Sequence, residues 1–259
     1  MIKKFLATGL TIGLVLTTAA TIHAEQLSNE LQRWYFKNRP AAEPLDLEKY
    51  NAYYKGDTSK KEIYLTFDEG YENGYTPIIL DVLKEKNVPA AFFVTKHYIT
   101  EHPDLIRRMA DEGHIVANHT VRHKSSPDLT DDEMRNELIK TADAYMELMG
   151  AQIPPFFRPP MGQYSERILK ITQECGYNTI FWSFAYADWE VNKQPGKEVA
   201  HKKVVGGAHN GAILLLHAVS KSNAEAMADI IDSLRTQGYE FKSLYELPNI
   251  QGVKPGGIL

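Results

Sequence analysis

The chain has 259 residues, 43% of them hydrophobic and 24% charged, with a formal net charge of -4. That length suits one large single-core domain, and an acidic balance without a basic excess excludes a nucleic-acid backbone as partner. Cys175 is the only cysteine, so no intramolecular disulfide forms, and its helix-like surroundings without an adjacent histidine read as packing, not as a nucleophile.

The first four residues carry two lysines, an apolar run covers 5–16, and small residues lead to Ala24. This is the pattern of a secretory signal over 1–24. The run is shorter than the roughly 20 residues of a spanning helix, which predicts cleavage, a mature chain from Glu25 and no stable membrane span. Residues 25–60 are polar with scattered aromatics and read as an N-terminal extension packed outside the main domain at 61–248; 249–259 read as a C-terminal tail.

From residue 62 onward, β-branched and aromatic runs alternate with helix-period stretches, the pattern of βα units around a parallel sheet. Strands are predicted at 63–67, 90–94, 114–117, 155–157, 179–184, 212–216 and 239–242. Between them, Pro77 opens a helix with Ile78, Ile79, Val82 and Leu83 on its apolar face. Thr130 and Glu133 form a capping box for a helix that stops at Gly150. Ser165 caps a helix ending at Gly176, and Asn223 one ending at Gly238. Seven strands with crossover helices favour a barrel over an open sheet.

Polar residues follow the strands directly: Asp68 and Glu69 after the first, His119 and His123 after the third, Arg158 after the fourth, Asp188 beyond the fifth, His217 after the sixth. In a parallel α/β barrel these ends converge on one face, where active sites are built. Neighbouring strand residues point to opposite faces, so Asp68 and Glu69 share one only if the backbone turns between them. The i, i+4 spacing of His119 and His123 places two imidazoles on one side of a helical turn, and with one carboxylate they leave an open position on Zn²⁺ or a similar ion. Arg158 holds a carboxylate in this reading, and the backbone N–H near Tyr164 faces an oxyanion. Trp182 and Trp189 read as core, with Trp189 able to floor a sugar site beside Asp188. At a strand end opposite an acid, His217 is a candidate proton donor.

Thr66-Phe67-Asp68-Glu69-Gly70, His119-Thr120-x-x-His123, Arg158-Pro159-Pro160-x-Gly162-x-Tyr164, Asp188-Trp189 and Leu215-Leu216-His217 together resemble the five motifs of the polysaccharide deacetylases, the NodB-like carbohydrate esterase family 4. The longer strings around Gly70 and His217 are similar to its sporulation branch, which acts on N-acetylmuramic acid of peptidoglycan and prepares muramic δ-lactam in the spore cortex. The resemblance implies an α/β fold, a distorted (β/α)₇ barrel, with Asp68 as general base, Arg158 orienting it, and His217 as proton donor tuned by Asp188. It implies a divalent metal, Zn²⁺ foremost, on His119 and His123. It puts Tyr164, Gly162, Pro160, Trp189 and Leu215 at the substrate and oxyanion positions. Where the family carries a second aspartate as metal ligand, this chain has Glu69, and Met161 replaces a larger polar or basic residue.

The implied protein is an exported monomer at the cell envelope or in the forespore intermembrane space, acting on peptidoglycan glycan strands. Rival readings are deacetylation of chitin oligomers or of peptidoglycan glucosamine, and a non-catalytic carbohydrate-binding barrel. A glycosidase using Asp68 and Glu69 fits poorly, because its two carboxyls must flank one bond. A serine hydrolase lacks its Gly-x-Ser-x-Gly elbow.

Overall fold

A computed structural model describes residues 27–34 and 45–251; the expected signal segment, residues 35–44 and the chain beyond 251 lie outside the described residues. In chain order the elements are β1 (Gln32–Arg33), β2 (Ala52–Tyr53), β3 (Glu62–Glu69), α1 (Thr76–Lys86), β4 (Ala90–Val94), α2 (Lys96–Glu101) and α3 (Pro103–Asp111). They continue with β5 (Ile115–Asn118), α4 (Asp131–Met149), β6 (Phe156–Phe157), β7 (Gln163–Tyr164), α5 (Glu166–Glu174) and β8 (Asn178–Ile180). The chain ends with α6 (Lys197–Gly207), β9 (Ala212–His217), α7 (Lys221–Thr236) and β10 (Glu240–Phe241).

The main sheet is parallel, in the order β9-β3-β4-β5-β6-β8-β2, and β10 pairs the first two residues of β3. It curls into a distorted barrel, because Phe184 bridges Leu214 in parallel and Lys55 bridges Ala212 antiparallel. Closure therefore falls to residues expected outside the domain: Ala52 and Tyr53 enter the sheet as β2 instead of wrapping it. The predicted strand 179–184 stops at Ile180, since the carbonyls of Ile180 and Phe181 turn to the Arg158 guanidinium instead of extending a ladder.

Strand alternation sorts side chains between two cores. Leu65, Phe67, Phe92, Leu214 and Leu216 pack under the helices. Tyr64, Ala91, Phe93, Ile213 and Leu215 fill the barrel. The Thr130 capping box and the left-handed Gly150 at φ 67° bound α4 as the sequence predicts. At α7 the cap differs: Ser220 accepts from the Asn223 N–H at 3.2 Å, and the helix starts at Lys221. Helices α2, α3 and α6 carry no prediction; Thr95 caps α2, its hydroxyl accepting from Tyr98 N–H.

Candidate active site

β3 runs straight through both acids, with Asp68 paired to Phe93 and Glu69 to Val94. No turn separates the two acids, so their side chains diverge. Asp68 looks into a groove of about 1160 Å³ at the carboxyl ends of the strands, while Glu69 is fully buried and does not line the groove.

On β9 the partner of Asp68 is His217. Each member of this pair has its own support. Arg158, also fully buried, donates from Nη1 to Asp68 Oδ1 at 2.8 Å, from Nε to the Ile180 carbonyl at 2.9 Å and from Nη2 to the Phe181 carbonyl at 3.2 Å. Its guanidinium lies 4.1 Å from the Phe93 ring centroid. Burial alone pushes the Asp68 carboxyl up, but the charges of Arg158, His119 and His217 and the Arg158 hydrogen bond outweigh it and hold it below the usual range.

His217 Nδ1–H donates to Asp188 Oδ1 at 2.7 Å, and its backbone N–H donates to Asp188 Oδ2 at 2.9 Å. Burial pushes the imidazole down, yet the charge and hydrogen bond of Asp188 win and raise it above the ordinary histidine value. Two neighbouring groups are thus driven apart, one towards carboxylate and one towards imidazolium, the signature of a paired base and acid.

The histidine pair reaches the groove by a loop and not by the predicted helical turn. Thr120 at φ 71° and His123 at φ 53° take left-handed conformations, which are rare for a β-branched residue. The strain is held by Asn118 Oδ1, which accepts from Thr120 N–H, and by Glu137 Oε2, which accepts from Val121 and Arg122 N–H at 2.7 and 3.0 Å. The two imidazole centroids stand 4.9 Å apart.

His119 Nδ1–H donates to the Arg158 carbonyl at 2.8 Å, and its buried Nε2 has no hydrogen-bond partner. Burial lowers its pKa to about 4, so Nε2 presents a lone pair. Histidine ligands of metals are commonly oriented in this way. On the carboxylate side the fit fails for Glu69, and among the described residues no three His, Cys, Asp or Glu side chains are grouped to hold a metal ion. Of the expected ligands, His119 and His123 stand side by side with the free Nε2 of His119 3.6 Å from Asp68 Oδ2, while Glu69 lies outside the set.

Both Glu69 carboxyl oxygens are buried without a hydrogen-bond partner. Burial foremost, then the charges of Glu72, Asp68 and Asp188, raises its pKa well above the usual value. The folded chain therefore keeps a proton that the unfolded chain releases above about pH 4.3, and stability falls with rising pH across that window. Glu69→Gln is expected to raise the melting temperature by a few degrees at alkaline pH, with the gain fading towards about pH 4. Thermal melts at several pH values check this; a gain independent of pH would show that Glu69 is not held protonated.

Gly162, Trp189 and Leu215 line the groove together with Trp182, whereas Pro160 and Tyr164 are buried and do not line it. Gly162 sits at φ 63°, and an added Cβ would come within 2.8 Å of Trp182 and 2.9 Å of Trp34. Tyr164 is paired in register with Gln32 of β1. The Trp189 and His217 ring centroids are 5.5 Å apart.

Three supporting residues fall outside the motif pattern. Asn223, spared from capping, donates to Asp188 Oδ2 at 2.6 Å and hydrogen-bonds Tyr186. Glu137 shares the buried face of α4 with Met134, Leu138 and Thr141; a carboxylate on an apolar stripe is the one signal available in the sequence. Trp34 donates from its indole to the Trp182 carbonyl at 2.7 Å and from its backbone to Gly162 at 2.8 Å, and lines the groove from the N-terminal segment.

Residues 55–180 match the family described as polysaccharide deacetylase. The peptidoglycan-N-acetylmuramic acid deacetylase PdaA of Bacillus subtilis is 46% identical over 241 residues, 90% of this chain and 92% of the relative. Its solved structure superposes with a TM-score of 0.82, covering 85% of this chain and 98% of that one. A peptidoglycan-N-acetylglucosamine deacetylase of Bacillus cereus is 35% identical over 202 residues, 76% of this chain and 72% of the relative. A CE4 family pseudoenzyme from Bacillus anthracis is 31% identical, with 76% of this chain and 68% of that chain covered at a TM-score of 0.71.

Proposed function

The chain belongs to the polysaccharide deacetylase family, carbohydrate esterase family 4, and from that premise we propose that it hydrolyses the N-acetyl group of N-acetylmuramic acid in peptidoglycan. The carrying observation is the pair Asp68–Arg158 and His217–Asp188 on adjacent strands at one groove. The muramic reading is supported by identity of 46% over 92% of the N-acetylmuramic acid deacetylase, against 35% over 72% of the glucosamine enzyme. With it go two finer proposals: export after signal cleavage, supported by the N-terminal pattern of residues 1–24, and preparation of muramic δ-lactam in spore cortex by freeing the amine.

Asp68, held ionised by Arg158, takes a proton from the attacking water. His217, held protonated by Asp188, delivers a proton to the departing amine, so the amide and water end as acetate and a free amino group on the sugar. A divalent cation on His119 and His123 would supply Lewis-acid polarisation of the acetamide carbonyl.

The pH profile follows from the two shifts. Activity needs ionised Asp68 and protonated His217, so kcat/KM rises at acid pH below the usual carboxylate value and falls on the alkaline side above the ordinary histidine value. Asp188→Asn removes the charge that raises His217, so the alkaline limb is expected to move to lower pH. An unmoved limb would assign it to another group.

The deciding experiment is acetate release by the protein from purified peptidoglycan strands and from chitin oligomers, with and without a chelator. Release from peptidoglycan with free amine on muramic acid supports the reading; release from chitin alone, or amine on glucosamine alone, replaces it.

A further inference from the structure

The charges of the groove do not follow those of the chain. Overall the chain carries -4, yet the groove is lined by Arg33, Lys96 and Arg122, the last paired with buried Glu137, and by a single carboxylate, Asp68, which buried Arg158 neutralises. Some lysines outside the groove do pair with acids, as in Lys86–Asp232 and Lys197–Asp229, both at 2.7 Å. Among the described residues neither Lys96 nor Arg33 has an ion-pair partner within 4.0 Å. Unpaired cations on the wall of a concave, low-dielectric groove raise the local concentration of anions.

Lys96 and Arg122 both line the groove, and their chain segments are tied together. The Lys96 backbone N–H donates to the Thr120 carbonyl at 3.0 Å, which docks the start of α2 on the loop that carries Arg122. Arg122 is not swinging free in solvent. Glu137 Oε1 takes its Nε at 2.7 Å and its Nη2 at 2.7 Å, and Glu137 Oε2 takes two backbone N–H groups of the same loop. One edge of the guanidinium is thereby clamped, and among the described residues Nη1 makes no hydrogen bond. A guanidinium fixed on one side and open on the other is pre-organised for a carboxylate.

We propose that Lys96 and Arg122 form a carboxylate subsite that binds an acidic substituent of the glycan strand beside the acetamide being hydrolysed. The inference rests on the muramic reading above. Muramic acid differs from glucosamine by an ether-linked lactic acid, so a carboxylate next to the N-acetyl group is what separates the two sugars. Glycan carboxylates have two sources, the lactyl group itself and stem peptides; Lys96 and Arg122 recognise the chemistry they share.

The test is equilibrium binding by calorimetry, using His217→Gln protein to suppress turnover. The probes are peptide-free strands with lactyl carboxylates, the same strands with carboxyls reduced to alcohols, and strands still bearing peptides. Lys96→Gln and Arg122→Gln should each weaken binding of the carboxylate strands about tenfold and of the reduced strands less than about twofold, and Arg122→Lys should recover part of the loss. The difference between strands should shrink from roughly 50 to 500 mM salt. Equal weakening on charged and reduced strands would overturn the subsite and leave Arg122 a support of the histidine loop; so would no weakening. The peptide-bearing strands report which carboxylate is read. Failure of the muramic reading shows separately, as wild-type acetate release from chitin only, and the binding comparison decides the subsite in either case.

Discussion

Asp68→Asn is expected to lower kcat by roughly 10²–10⁴-fold, the range of a lost general base, with KM little changed. Asparagine matches the shape of aspartate, and its amide oxygen can still accept from Arg158 Nη1, which Asp68 takes at 2.8 Å. Arg158 also keeps the carbonyls of Ile180 and Phe181, so the barrel end stays assembled. What the amide cannot do is take a proton. The exchange also leaves a buried guanidinium without its counter-charge, which costs stability. Melting should therefore come at a lower temperature with an unchanged far-ultraviolet circular dichroism spectrum. Steady-state kinetics at saturating strands measure the loss, and a kcat within about threefold of wild type would remove Asp68 as the base.

His217→Gln is expected to lower kcat for acetamide hydrolysis by roughly 10²–10³-fold. The sharper readout is the dependence on leaving group. An amine leaves only when protonated, whereas the phenolate of an aryl acetate leaves without a proton. If His217 is the acid, the variant loses much less on the aryl ester than on the glycan acetamide. Equal losses on both would assign His217 to substrate positioning and send the search for the proton donor elsewhere. Asp188 enters through His217: it fixes Nδ1 and the backbone N–H of that residue, and Asn223 holds Asp188 in turn.

Much of this arrangement was legible from local signals. The alternation of Ile63, Leu65 and Phe67 with Tyr64 and Thr66 places a strand, and the Thr130 box with Gly150 bounds a helix. The reactive residues stand at or beyond the carboxyl ends of strands, as Asp68 and His217 do in the last residues of β3 and β9, and parallel strands bring such ends to one face whatever the loops do. Glu69 was less legible. Whether the acid after Asp68 turns into the groove depends on where strand pairing stops, and Val94 carries the pairing one residue further. The fate of Asn223 likewise depends on Ser220 taking the cap and on Asp188 arriving from a distant loop.

Local signals place the main strands from β3 onward and, with chain direction, bring Asp68, Arg158 and His217 to one end of the sheet. Those properties follow from periodicity, capping and chain direction, which act over a few residues. Tertiary structure alone decided which acid faces the groove, the left-handed loop that presents the two histidines, the use of Glu137 and Trp34 as supports, and the closure of the barrel by β2 and Phe184. Each of these is a contact between segments far apart in the chain, and its geometry depends on how two elements pack, which no local pattern of residues encodes.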